Sequence, residues 1–290
     1  MHKSNCVMII LKKVVGVLIL LLFTLLQKNV TAQYYYRDVL TNLQQLKEFT
    51  ILKNENLRTI VINSFENDGS PSDGFSCQKK FDKNFRRSEM FSNSNVTGGS
   101  ILITIYNDKG QIIKLTDSAA RNVSHTSYQY DNTGKIKLIT IDTKADDEAS
   151  GITETREYQY STAGKPEKMV RKKLNKDYSV VNFVTDEKGN ISEEREIVGG
   201  KEFNRFYYYY DDRNRLTDIV HFNNRIKKLL PDFMFEYNTA SLVKQMIATE
   251  AGTSNYSIWT YSYNDLKLRE TEKCYSKQRR LIGSVTYQYK

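Results

Sequence analysis

Proline, histidine and cysteine are scarce in this chain, and each scarcity narrows what it can be. Only three prolines occur in 290 residues, Pro71, Pro166 and Pro231. Proline removes a backbone donor and breaks ladders, so a chain this poor in it fits a continuous hydrogen-bonded sheet with little linker. No shift of composition marks a second domain. Beyond the N-terminal segment the histidines are His125 and His221, each on a predicted strand with no metal-ligand spacing. A lone strand histidine is ordinarily a partly exposed surface residue. The Gly-x-Ser-x-Gly elbow, the HExxH pair and a phosphate-cradling glycine loop are all missing. No catalytic residue, cofactor or metal is therefore expected. Asp146, Asp147 and Glu148 form an acidic knot, but the ligand spacing of a dedicated calcium loop is absent and a solvated loop is the reading.

Cysteine use is equally thin. Cys6 precedes an apolar run, where it cannot serve as a lipoprotein acylation site, and Cys77 and Cys274 are the others. Two cysteines make no disulfide scaffold, although an oxidising compartment permits one bridge. In a flat meander roughly fourteen strands, about 65 Å, would separate them, against a limit of about 7 Å between bonded Cα atoms. If they are bonded, the sheet must curl until its ends meet. If they are free, they are small packed residues.

A concentrated basic stripe is missing too. The formal charge is +9, but residues 1–32 hold four of the 43 Lys and Arg and no acid, which leaves 39 against 34, or +5. The nearest cluster, Lys165–Lys176, contains Glu167 and spans a predicted turn. It reads as a solvated strand face, and no nucleic-acid partner is expected.

What the chain has is a tyrosine-centred motif every 24 to 30 residues, anchored at Phe81, Tyr106, Tyr130, Tyr160, Thr185, Tyr210, Tyr237, Tyr263 and Tyr289. Two residues before the anchor stand Tyr128, Tyr158, Phe183, Tyr208, Phe235, Tyr261 and Tyr287. Alternate aromatics point to one face of a strand. Asp or Asn follows the anchor in seven copies and opens a turn. Gly110, Gly134, Gly164, Gly189 and Asn214 come four residues after it, where a type I turn with a bulge needs positive φ. The anchor then lies opposite the apolar residue six positions on, Tyr130 with Ile136 and Tyr210 with Leu216. The next apolar column is nine past the anchor, at Leu115, Ile139, Met169, Ile219 and Met246, so a bulge or sharp twist is expected in the returning strand.

On these residues, chiefly Tyr128–Ile136 and Tyr208–Leu216, the chain from about residue 75 to 290 resembles the YD-repeat (RHS) family of secreted and surface proteins. The resemblance implies an antiparallel sheet of hairpins, curled in large members into a shell around cargo. This chain has too few copies for such a cocoon. The copies at Thr185, Ser241 and Lys267 depart from the pattern.

At the N-terminus Lys3, Lys12 and Lys13, the apolar run Val14–Leu26 and Val30-Thr31-Ala32 read as a secretory signal cleaved before Gln33. Arg37–Leu52 has helical spacing (Val39, Leu40, Leu43, Leu46, Phe49) and is expected to cap the sheet edge. Arg58–Phe65 reads as the first strand. Val285–Tyr289 supplies only half a copy, an exposed edge open to strand addition.

The expected fold is all-β, an antiparallel meander of tandem β-hairpin repeats forming a long curved sheet with a short N-terminal helix. Its divisions are a signal peptide (1–32), a helical cap segment (33–55) and a repeat domain (56–290). The leading functional reading is a non-enzymatic exported binding or structural surface, periplasmic, cell-surface or secreted, with a protein or polysaccharide partner. Tyr207 and Tyr209, on the face opposite the repeat columns, are its hypothetical ligand contacts. The alternative is an outer-membrane β-barrel, which needs one continuous lipid-facing apolar column per strand; charges on both faces of Ser192–Glu196 and nearly so in Glu167–Lys173 speak against insertion in lipid. An enzyme of unrecognised type ranks third.

Overall fold

The computed structural model describes residues 34–119, 122–145, 151–174, 176–223, 226–250 and 253–290. The expected signal segment and the Asp146–Glu148 knot lie outside them. One helix, α1 (Tyr36–Asn54), precedes the strands. The first strands are β1 (Thr59–Glu66), β2 (Ser76–Phe81), β3 (Arg87–Ser94), β4 (Gly98–Tyr106), β5 (Ile112–Ala119) and β6 (Asn122–Tyr130). There follow β7 (Ile136–Ala145), β8 (Ile152–Tyr160), β9 (Pro166–Lys173), β10 (Lys176–Thr185), β11 (Ile191–Val198) and β12 (Lys201–Tyr210). The last are β13 (Leu216–Asn223), β14 (Lys228–Tyr237), β15 (Val243–Thr249), β16 (Tyr256–Tyr263), β17 (Arg269–Ser276) and β18 (Leu281–Tyr289).

Every strand pairs antiparallel with the next, and β18 pairs with β1, so the 18 strands form one closed barrel. This overturns the long open curved sheet, and with it the reading as an array of YD or RHS hairpin repeats, which a single closed ring does not support. It also removes the proposed edge at Val285–Tyr289, whose backbone is paired with Ser64–Ile60. The seam shows why closure wins. Tyr289 faces Ile60 as Tyr130 faces Ile136, so β1 supplies the returning strand that the last half-copy lacks. An open sheet would leave two bare edges and one long apolar face in water.

Local chemistry bends the wall as the spacing predicts. In seven strand pairs the register shifts at the anchor, at Tyr106, Tyr130, Tyr160, Thr185, Tyr210, Tyr237 and Tyr263. Each bulge puts the residues six and nine past the anchor on the same inner face, so Ile136 meets Tyr130 and Ile139 meets Tyr128. Asp131 Oδ1 accepts from the amides of Thr133 and Lys135, and Asp211 Oδ1 from those of Arg213 and Arg215. Ser241 and Lys267 adopt the same positive φ as Gly134, 60° and 63° against 84°, so the departing copies keep the turn.

The anchor hydroxyl has a structural use. Tyr130, Tyr160, Tyr210, Tyr237, Tyr263 and Tyr289 each donate to the carbonyl of the residue six past the preceding anchor, at 2.6–2.9 Å. These bonds tie each hairpin to its neighbour along the inner wall.

The tube is roughly 35 Å across for its strand number at ordinary spacing and tilt. A 19-residue helix is about 28 Å long, and α1 runs obliquely across the lumen, its Phe49 end at the anchor turns and its Tyr35 end deeper in the barrel beside Glu196 and Arg171. Phe49 stacks on Tyr106 at 4.5 Å and packs edge-on to Phe81 and Phe85 on one side of the ring. Tyr34 meets Phe206 and Phe233 on the other. Leu43 faces out, 52% exposed, while Phe49 and Leu52 are buried. The helix therefore spans the lumen of the barrel; it caps no sheet edge.

Candidate ligand chamber

Two polar clusters organise the interior, and the first docks the helix. Glu194 of β11 is buried and accepts from the amides of Tyr35 and Tyr36 at 2.8 and 2.9 Å and from the Tyr208 hydroxyl at 2.8 Å. A strand carboxylate thus caps the N-terminus of α1, whose free amides and dipole favour an anion. Burial is the largest influence on Glu194 and outweighs these donors, pushing its pKa up to about 7. Beside it Arg156 of β8, 5% exposed, bridges Asp38 at 2.9 Å and Glu154 at 2.8 Å, and Arg171 shares Glu154 at 2.6 Å. Tyr158 donates to Asp38 at 2.7 Å. Arg156 is thus paired on both sides, as burial requires.

The second cluster lies on the opposite wall, which the helix does not fill. Arg269 Nη1 sits 2.6 Å from Glu272 Oε1, which also accepts from the Tyr287 hydroxyl at 2.8 Å. The Arg269 guanidinium lies 4.6 Å over the Tyr261 ring. Between the two clusters, next to Phe206, His221 Nδ1 faces Asp232 at 2.9 Å. A cavity of about 3410 Å³ surrounds α1, bounded by β1–β6 and β9–β18, and its β13–β18 side is lined by Phe233, Phe235, Met246, Trp259, Tyr261 and these pairs.

Sequence reading reached part of this. The anchors Phe81, Tyr106, Tyr130, Tyr160, Tyr210, Tyr237, Tyr263 and Tyr289 pack into or beside the inner clusters or border the cavity. Gly134, Gly164 and Gly189 hold their turns at positive φ. Tyr207 and Tyr209 stand on the outer wall, Tyr207 beside Arg205 at 3.3 Å and Tyr209 47% exposed, away from the chamber. Cys77 and Cys274 are both free and buried, so the bridge is not formed. They face inward on β2 and β17, three strand spacings apart through β1 and β18, roughly 14 Å, and four residues out of register along the strands besides. Burial lifts their thiols to about 11 and about 12. The ends of the sheet meet without them. His125 lies on the outer wall against Thr116, whereas His221 turns inward to Asp232. No group of metal-ligating side chains stands together among the described residues.

Missed were Arg156, Glu194, Arg269 and Glu272. Glu194 and Glu272 fall nine past their anchors and Arg269 six past, in columns otherwise mostly apolar. A charge in an inward column was the available signal.

The outer wall is mixed. On β4 Ile101, Ile103 and Ile105 make a continuous apolar column, but Glu89, Lys114, Glu157, Lys168, Glu193 and Lys273 interrupt β3, β5, β8, β9, β11 and β17.

No protein family and no curated protein matches the chain. Among solved structures it is similar to a porin-like protein from Bacteroides uniformis, with 13% identity and a TM-score of 0.38, covering 81% of this chain and 98% of that one. It is also similar to the TcdB2-TccC3-TEV structure, from an RHS/YD-repeat toxin complex, with 10% identity and a TM-score of 0.33 over 74% of this chain. Only 12% of that much longer chain is covered. A third, an exported protein with a YmcC-like fold from Bacteroides fragilis, shares 9% identity at a TM-score of 0.19, covering 80% and 95%. Identities and scores this low assign no function. Closure itself, however, is what the outer-membrane alternative required and what the open binding surface lacked.

Proposed function

We propose that the chain is an exported β-barrel that holds an elongated, mostly apolar molecule in the chamber between α1 and β13–β18. Export follows from the leader read in the sequence. One observation carries the rest, a lumen cavity of about 3410 Å³ around α1 whose β13–β18 side carries Phe233, Phe235, Met246, Trp259 and Tyr261. Small-molecule sites usually occupy roughly 300–1,000 Å³, so the occupant is long, such as a molecule with acyl chains. On the β13–β18 side Arg269 is engaged by Glu272 and His221 by Asp232, which favours a binding role over catalysis there.

Trp259 is the only tryptophan and lines the chamber, so it reports directly. Titration with a pyrene-labelled fatty acid should give saturable energy transfer from it. Met246→Glu should weaken binding at least about tenfold, since the occupant would desolvate a charge; Tyr209→Ala on the outer wall should not. Absence of saturable transfer, or an unchanged Met246→Glu variant, rejects the reading.

Insertion in an outer membrane is the second reading, favoured by closure and by the apolar column of β4. The charges on six other strands favour an aqueous exterior. Alkaline carbonate extraction of membranes separates the two: an inserted barrel stays in the pellet, a water-facing one leaves it.

A further inference from the structure

The mouth opposite the anchor turns is built differently from the rest of the surface. Ile152, Leu174, Tyr178, Phe203, Ile226 and Leu229 stand at or beside four consecutive turns there, from β7–β8 to β13–β14, and each is 43–58% exposed. Scattered exposed apolar residues are ordinary, but six on neighbouring tips of one rim form a collar. Phe203, Tyr178 and Ile226 also line the chamber, so the collar rings its opening.

From β9 to β14 the collar is also basic; the acidic Asp146–Glu148 stretch between β7 and β8 is no part of this basic arc. Lys173, Lys176, Lys201, Lys227 and Lys228 are exposed on the same turns, and none pairs with a carboxylate among the described residues. The acids beside them, Asp177 and Glu202, already face Lys172 and Arg205. Alternating apolar tips and free lysines match an anionic bilayer, where apolar groups enter the acyl boundary and ammonium groups stay at the phosphates. The apolar chamber behind the collar points the same way, because its proposed occupants reside in membranes and not in water.

We infer that the β9–β14 rim docks the barrel, mouth down, on the surface of an anionic phospholipid bilayer. Docking is peripheral, does not need the chamber to be filled, and fails or stands separately from ligand binding at Trp259.

The test is co-sedimentation of the leader-free protein with phosphatidylglycerol–phosphatidylcholine vesicles and with pure phosphatidylcholine vesicles. Binding to the anionic vesicles should exceed binding to the neutral ones by about tenfold and fall in high salt. The Lys176→Gln, Lys201→Gln, Lys228→Gln triple variant should lose that preference. Ile226→Ser with Leu229→Ser should lose binding to both; Tyr209→Ser should lose nothing, and all variants should keep the parent melting temperature. Equal binding to both vesicles, binding to neither, or collar variants that sediment like the parent would overturn the inference. So would protein released only by detergent, which would mark a spanning barrel.

Discussion

A tyrosine hydroxyl and a buried carboxylate decide more here than their numbers suggest. At six anchors the phenol bridges to the preceding hairpin, which explains why the column is tyrosine where phenylalanine would supply the same ring. Tyr263→Phe removes one such bond, to Val243 O at 2.9 Å, and should cost about 1 kcal/mol in urea unfolding; Tyr209→Phe on the outer wall should cost nothing measurable. Glu194 predicts a pH dependence. Its folded pKa, about 7, lies above the ordinary value of 4.5, so the folded state binds the proton more tightly. The stability this gives is complete below about pH 4.5 and is lost as pH rises through about 7, a term on the order of 3 kcal/mol. Glu194→Gln keeps an acceptor for the Tyr35 and Tyr36 amides and should flatten the melting temperature across that window. A slope unchanged by the substitution would assign it to other groups. The tyrosine column was legible because period two is local; the bond made by its hydroxyl was not, since the acceptor lies about 20 residues away and no side-chain pattern marks a carbonyl.

α1 shows the same division at the scale of an element. The spacing of Val39, Leu40, Leu43, Leu46 and Phe49 announces a helix, yet Leu43 ends up exposed and the buried anchors are Tyr35, Phe49 and Leu52. Periodicity tells which residues share a stripe, not which surface receives it. The helix's place is set by groups more than a hundred residues distant, Arg156 on Asp38 and Glu194 on the first amides. Asp38→Ala leaves Arg156 buried with Glu154 as its carboxylate partner at 2.8 Å and should destabilise by roughly 3–5 kcal/mol. Phe49→Ala, which empties the space between Tyr106, Phe81 and Phe85, should cost a similar amount, roughly 3–5 kcal/mol. Chemical denaturation of both variants, followed by Trp259 fluorescence, tests whether the helix unfolds with the wall. If the helix only rests in the lumen, both substitutions will leave the midpoint unmoved.

For the whole molecule the governing event is the seam between β1 and β18. Turns, bulges and inward columns could be read along the chain because each is fixed within about ten residues. Closure joins residues 59–66 to residues 281–289, and no local pattern distinguishes a strand that finds this partner from one left at an edge. The two cysteines were a misleading guide, since the ring closes through backbone pairing and leaves both thiols free. A designed bridge asks the question directly. Asn63 and Thr286 stand opposite one another across the seam, on the face away from the inward column of Ile60, Ile62 and Ser64. Opposed antiparallel residues have Cα atoms about 4.5–5.5 Å apart, inside the disulfide range, whereas the two edges of a flat sheet of this width would lie roughly 80 Å apart. Asn63→Cys with Thr286→Cys should therefore oxidise to an intramolecular bond, while Cys77 and Cys274 stay reduced, buried and unreactive toward alkylation until the protein unfolds. Bridging so long a loop should add up to about 5 kcal/mol by restricting the unfolded chain, visible as a raised melting temperature that reductant reverses. Failure to form the bond, or bonds only between molecules, would show an open ring, and the chamber would then have no far wall.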